Sequence, residues 1–126
     1  MKRAISYVAL GIAVILLLTA GLCSNPTPTP KNNPPTPPNI TASSTWVGYN
    51  EQVNLTATST DPDGDPLTYT WTAEAGTFSN PNTATTVWTS PTYDHEGDYN
   101  FKITATVSDG KATSQSSITI RVTEIW

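Results

Sequence analysis

The 126-residue sequence predicts an all-β domain, a two-layer sandwich of about seven strands spanning residues 39–126. Two observations carry this expectation. Apolar and polar residues alternate with a period of two in four separate stretches, which is the pattern of strands that bury one face. Turn-forming Gly, Pro, Asn and Asp separate those stretches at short intervals, too close together for helices of ordinary length.

The chain before residue 39 is different material, and it divides in two. Met1-Lys2-Arg3 supplies a positive start, and Ala4 to Leu22 carries no charge. Residues 1–22 are therefore expected to be an export signal or a membrane anchor formed by a hydrophobic helix, outside the fold itself. The run is longer than a cleaved apolar core of about 7–15 residues and close to the roughly 20 that a spanning helix needs. Either outcome puts the rest of the chain outside the cytoplasm. Cys23, the only cysteine, rules out an intrachain disulfide. The stretch Ala20-Gly21-Leu22-Cys23 resembles the signal of prokaryotic lipoproteins, with Leu22 where that family prefers Gly, Ala or Ser. The resemblance implies a lipidated Cys23, and lipidation, an uncleaved anchor and ordinary cleavage all stay open. A diacyl chain would hold the protein stably on a membrane.

Residues 23–38 are expected to be a linker. From Asn25 to Pro38 the sequence reads NPTPTPKNNPPTPP, seven prolines in fourteen residues with no apolar residue to bury. Such a segment should be extended polyproline II, a semi-rigid stalk rising about 3.1 Å per residue and so roughly 40 Å long.

The strands then follow in order. Gln52 to Thr60 places Val53, Leu55 and Ala57 on one face, and Leu67 to Thr72 does the same with Leu67, Tyr69 and Trp71. Tyr99 to Val107 gives the longest alternation, with Tyr99, Phe101, Ile103, Ala105 and Val107, and Ile118, Ile120 and Val122 form the last. Shorter candidates are Ile40 to Ser43, Trp46-Val47 and Thr85 to Thr89. The expected core is Leu55, Tyr69, Trp71, Tyr99, Ile103 and Val107, with Trp71 filling the middle and packing alone holding the two layers together.

Asp61-Pro62-Asp63-Gly64-Asp65-Pro66-Leu67-Thr68-Tyr69-Thr70-Trp71, then Val87-Trp88-Thr89-Ser90-Pro91, Gly97-Asp98-Tyr99 and Val107-Ser108-Asp109-Gly110, resembles the PKD-type, immunoglobulin-like extracellular domain of bacterial and archaeal surface proteins. The resemblance covers nearly all of residues 39–126 and implies an immunoglobulin-like sandwich. Many such domains carry Trp-Asp-Phe-Gly-Asp-Gly after the central strand, where this chain has Trp71-Thr72-Ala73-Glu74-Ala75-Gly76. In immunoglobulin folds a tryptophan sits between the sheets and a tyrosine hydroxyl bonds back to a corner, roles that fall to Trp71 and Tyr99.

Within that scaffold the turn Asp61 to Pro66 and the turn Ser108-Asp109-Gly110 share one end, so Asp61, Asp63, Asp65 and Asp109 are expected to converge. Two readings stay open. Asp, Gly and Pro are ordinary corner formers; alternating carboxylates also suit calcium, which takes six to eight oxygens. An EF-hand is excluded, because its twelfth position is Thr72 rather than glutamate. At the other end lie Tyr49, Tyr93, His95 and Trp126, expected either to present a binding surface for a cell-surface protein or glycan or to cover the open end of the core. Asn39 and Asn54 each begin an acceptor pattern for N-glycosylation, and Asn54 faces outward.

Charge and residue content exclude several function classes. Beyond Cys23 four basic residues stand against ten acids, a net of −6 that argues against nucleic acid. One histidine and no cysteine after residue 23 leave no Cys/His pair and no zinc set. A small sandwich offers no deep cleft for a small-molecule substrate, so no catalysis is expected. The reading is a surface-anchored, non-catalytic module for binding or adhesion. A passive envelope spacer or a carbohydrate-binding accessory module are the alternatives.

Overall fold

A computed structural model of the chain describes residues 24–93 and 97–124. The expected N-terminal helix, Cys23, His95 and Trp126 lie outside the described residues. Among the described residues no helix is long and apolar enough to cross a membrane.

Among the described residues eight strands follow one another: β1 Asn39–Ala42, β2 Trp46–Val47, β3 Gln52–Thr58, β4 Thr68–Ala73, β5 Thr77–Phe78, β6 Thr85–Thr89, β7 Tyr99–Ser108 and β8 Thr113–Val122. They form two four-stranded sheets, ordered β1-β3-β6-β5 and β2-β8-β7-β4. All pairings are antiparallel except β2 with β8. The all-β sandwich expected from the alternation is the fold observed. All four strong alternating runs and all three weaker ones are strands; β5, only two residues long, was too short for any periodicity to announce.

The alternation explains the core directly. Val53, Leu55 and Ala57 of β3 face Trp71 of β4 and Phe101, Ile103, Ala105 and Val107 of β7, with Ile120 and Val122 of β8 completing the layer. Each has at most 6% of its surface exposed. Tyr69 and Tyr99 pack half-buried against this cluster.

The core holds two indoles. Trp71 and Trp88 are 2% and 0% exposed, and each indole N–H finds a carbonyl, Trp71 Nε1 donating to Thr83 O at 2.8 Å and Trp88 Nε1 to Ala75 O at 3.0 Å. Buried tryptophan needs such a partner. Trp88 also fixes its neighbour: Gly76 has φ +85°, and a Cβ there would sit 2.5 Å from both Trp88 Nε1 and Thr89 O.

Residues 32–38, read from the sequence as part of the stalk, lie against the sandwich. Pro35 and Pro38 are buried. Thr36 N donates to Thr60 O at 2.9 Å, Thr60 N to Thr36 Oγ1 at 3.0 Å, and Ser114 Oγ to Pro35 O at 2.6 Å. The physical reason is that proline rings are apolar and pre-set in an extended shape, so they cover a core edge at little entropic cost. Residues 24–31 carry no regular secondary structure.

Candidate functional site

The acidic end is built from two turns and the strap of residues 32–38. In the β3–β4 loop, Asp61 Oδ1 accepts from the amides of Asp63 at 2.9 Å and Asp65 at 3.1 Å, while Gly64 takes φ +78°. That winding places one carboxylate oxygen from each of Asp61, Asp63 and Asp65 within 4.8 Å of the others. Asp109 does not belong to this group. Its Oδ1 accepts from the amides of Lys111 and Ala112, both at 2.6 Å, and Asn32 Nδ2 donates to its Oδ2 at 2.9 Å. The expected convergence of four acids therefore reduces to three, Asp109 lying outside that group on its own hairpin turn and bonded to the strap. Those bonds, the Ala112 amide foremost, hold its carboxyl down at about 2.

The remaining charges interlock. Asn33 donates to Asp63 through its amide N at 2.6 Å and its Nδ2 at 2.9 Å, which lowers the Asp63 pKa. Lys111 Nζ lies 2.6 Å from Asp65 Oδ2, and this bond raises the lysine's pKa. Among the described residues two side-chain oxygens are shut away from solvent without a hydrogen-bond partner, Asp61 Oδ2 and Asn32 Oδ1. The donor set, hard oxygens within a span that one ion bridges at about 2.3–2.6 Å per bond, fits calcium.

At the opposite end Tyr49, Tyr93, Tyr99 and Phe101 pack together. Tyr93 stacks on Tyr99 with centroids 4.3 Å apart and remains 37% exposed. The hydroxyl that bonds back to the corner belongs to Tyr49, which donates to Gly97 O at 2.8 Å; desolvation raises its pKa. Tyr49 thus takes the place the sequence assigns to Tyr99, whose ring is engaged in stacking. Of the four residues expected at this end, Tyr49 and Tyr93 are described, and both join the cover over the core.

A third region was missed by the sequence reading. Trp46 is 63% exposed, the most open large apolar side chain among the described residues. Its exposure follows from the crossing of the chain between sheets: β1 pairs with β3 while β2 pairs with β8, and Ser43 N fixes the crossing by donating to Asn54 O at 2.9 Å. With Val47 turned into the core, the period of two sends Trp46 outward beside Arg121.

The outer face it joins is rich in hydroxyls. Across β4, β7 and β8 the paired positions form rows: Thr68, Ser108 and Thr113; Thr70, Thr106 and Gln115; Thr72, Thr104 and Ser117. Thr104 Oγ1 and Ser117 Oγ are 2.8 Å apart. On this face Glu74 accepts from the backbone amide of Lys102 at 3.3 Å, and Asp98 accepts from Arg121 and is lowered in pKa, first by the Thr123 hydroxyl. Asn39 and Asn54 are both exposed, on β1 and β3.

The PKD domain family model matches residues 32–122, from the first residue of the strap to the end of β8. The chain belongs to the PKD domain family. The match begins at Asn32, in agreement with the strap's packing. Such domains occur in the extracellular parts of secreted or surface proteins. The chain is 35% identical over 106 residues to Chitinase A of Pseudoalteromonas piscicida, a match covering 83% of this chain and 12% of the chitinase.

Among solved structures the PKD domain resembles a nucleoside hydrolase-related protein from Saccharophagus degradans associated with carbohydrate metabolism. That match has a TM-score of 0.51 and 20% identity over 75% of this chain and 26% of the other. It also resembles the PKD domain of an M14-like peptidase from a Thermoplasmatales archaeon, with a TM-score of 0.49 and 27% identity, covering 76% of this chain and all of that one.

Proposed function

We propose that this PKD domain is a non-catalytic accessory module of the cell exterior that binds polysaccharide through the sheet face carrying Trp46. The observation that carries the reading is the exposure of an indole on an otherwise polar sheet face, with an arginine beside it. Leaving so large an apolar surface in water forgoes burial worth about 1.5–3 kcal/mol, so a side chain held there by register is available to a ligand. A flat aromatic ring stacks on the apolar face of a sugar while neighbouring polar groups take its hydroxyls. The chitinase relative supports the same ligand class, since a chitinase acts on chitin. Attachment to a membrane through Cys23 or the hydrophobic run belongs to this proposal as the way the module is displayed.

The test is retention on insoluble chitin and cellulose. Trp46→Ala is expected to lower the partition constant at least tenfold while its melting temperature stays within about 2 °C of the parent, because the ring contributes little to the core. Equal retention of the two proteins would discard Trp46 as the ligand platform.

A second reading concerns the acidic end: Asp61, Asp63 and Asp65 bind calcium in the β3–β4 loop. The shielded, unpartnered Oδ2 of Asp61 favours it. When bound, the ion would supply the positive charge that oxygen lacks. Millimolar calcium should then raise the melting temperature by several degrees, and Asp61→Asn should abolish the rise. A parent protein indifferent to calcium would end this reading.

A further inference from the structure

We propose that Thr27 and Thr29, in the run Asn25-Pro26-Thr27-Pro28-Thr29-Pro30, are acceptors for O-linked sugars, and that Thr36 is not. The sequence treats the three alike, since each threonine stands between two prolines, a composition found in O-glycosylated stalks. The structure separates them.

Thr36 belongs to the strap. Its Oγ1 donates to Thr60 O at 3.1 Å and accepts from the Thr60 amide at 3.0 Å, while its own amide donates to Thr60 O at 2.9 Å. A threonine hydroxyl has one proton to give, and here it is committed. The flanking backbone is tied down as well. Pro35 and Pro38 are buried, and Pro35 O accepts from Ser114 Oγ at 2.6 Å. A transferase draws the residues on both sides of its acceptor into a groove, so reaching Thr36 requires stripping the strap from the sandwich and breaking all of these bonds.

Thr27 and Thr29 meet no such obstacle. Both are exposed, in a segment without regular secondary structure, and neither hydroxyl makes a hydrogen bond. The neighbouring prolines fix φ near −65° and favour an extended shape, so the segment enters a groove with little further loss of freedom. Polyproline II turns once in three residues, which sends positions two apart to different sides, and a sugar on one threonine leaves the other within reach. Exposed threonines within the sheets differ in this respect. Thr70 and Thr72 sit on β4, whose backbone is paired with β7 and is not free to leave.

The nucleophile is a hydroxyl rather than an amide. Asn25-Pro26-Thr27 has the spacing of the N-linked acceptor pattern, but proline at its middle position excludes that reaction. In the O-linked transfer the threonine Oγ attacks the anomeric carbon of a sugar carried on a phosphate. The new bond joins that carbon to Oγ, the bond from the carbon to the phosphate oxygen breaks, a base of the transferase takes the hydroxyl proton, and the phosphate leaves on its carrier. Nothing is oxidised or reduced.

The test uses the full chain isolated from the organism that makes it, denatured and cut with trypsin. Lys31 is the only basic residue between Arg3 and Lys102, so cleavage there separates Thr27 and Thr29 from Thr36. Mass spectrometry, with fragmentation that leaves sugars attached, is expected to show the peptide ending at Lys31 shifted by whole sugar residues carried on Thr27, Thr29 or both, and Thr36 bare. Thr27→Val/Thr29→Val should remove the sugar from that peptide at an unchanged melting temperature, because neither hydroxyl is bonded in the parent. A peptide ending at Lys31 that carries no sugar or carries phosphate instead, a sugar that survives the double substitution, or a sugar on Thr36 overturns the inference.

Discussion

At the scale of single residues, the chain's polar side chains divide into those that serve the fold and those left over for a ligand. Asp109 serves the fold. Although it is only 7% exposed, it stays ionised, because two backbone amides and Asn32 donate to its oxygens. Its folded pKa of about 2 is below the ordinary aspartate value, so its contribution to stability is fully present above about pH 4 and is lost as pH falls toward 2. Thermal melts between pH 5 and pH 2 should show the midpoint falling across that window, with a shallower fall in Asp109→Asn, which has no carboxyl to protonate. Identical pH profiles would show that Asp109 is not the group responsible. Asp63, lowered by Asn33, contributes to the same acid limb in the same direction.

Among the elements, the strap of residues 32–38 decides most about where the packed domain begins. It is a run of prolines that a sequence reading takes for linker, since it lacks alternation and has no aliphatic residue. Its docking is nevertheless specific: Thr36 bonds reciprocally with Thr60, Pro35 is fixed by Ser114, and Asn32 and Asn33 engage Asp109 and Asp63. A chain beginning at Asn39 should lose about 2–4 kcal/mol through exposure of two proline sites and loss of several hydrogen bonds. Its urea midpoint should therefore fall clearly. An unchanged midpoint would mean that the strap rests on the sandwich without stabilising it. The β1 to β2 crossing is the other decisive element, for it turns Val47 inward and Trp46 outward.

Considered as a whole, the molecule is a small sandwich whose sheets no disulfide can join, the only cysteine being Cys23. Domains of this size bury a modest share of their unfolded surface, so two buried indoles and the strap matter more than they would in a larger protein. The fold and its four main strands were legible because a period of two is a local property: each strand writes its buried face into its own sequence, whatever it packs against. So was the acidic corner, whose turn chemistry is also local.

What the sequence determined unaided was which stretches other than β5 are strands, which face of the longer ones is apolar, and that Asp61, Asp63 and Asp65 lie close together. Only the tertiary structure decided that Trp88 joins Trp71 inside while Trp46 stays outside, that Tyr49 reaches the corner in place of Tyr99, and that the prolines before Asn39 close the core edge. The physical reason is the same in each case. A two-residue strand such as Trp46-Val47 is too short to show a period, and a ring or a proline finds its partner across sheets and loops, at distances along the chain where local pattern carries no information.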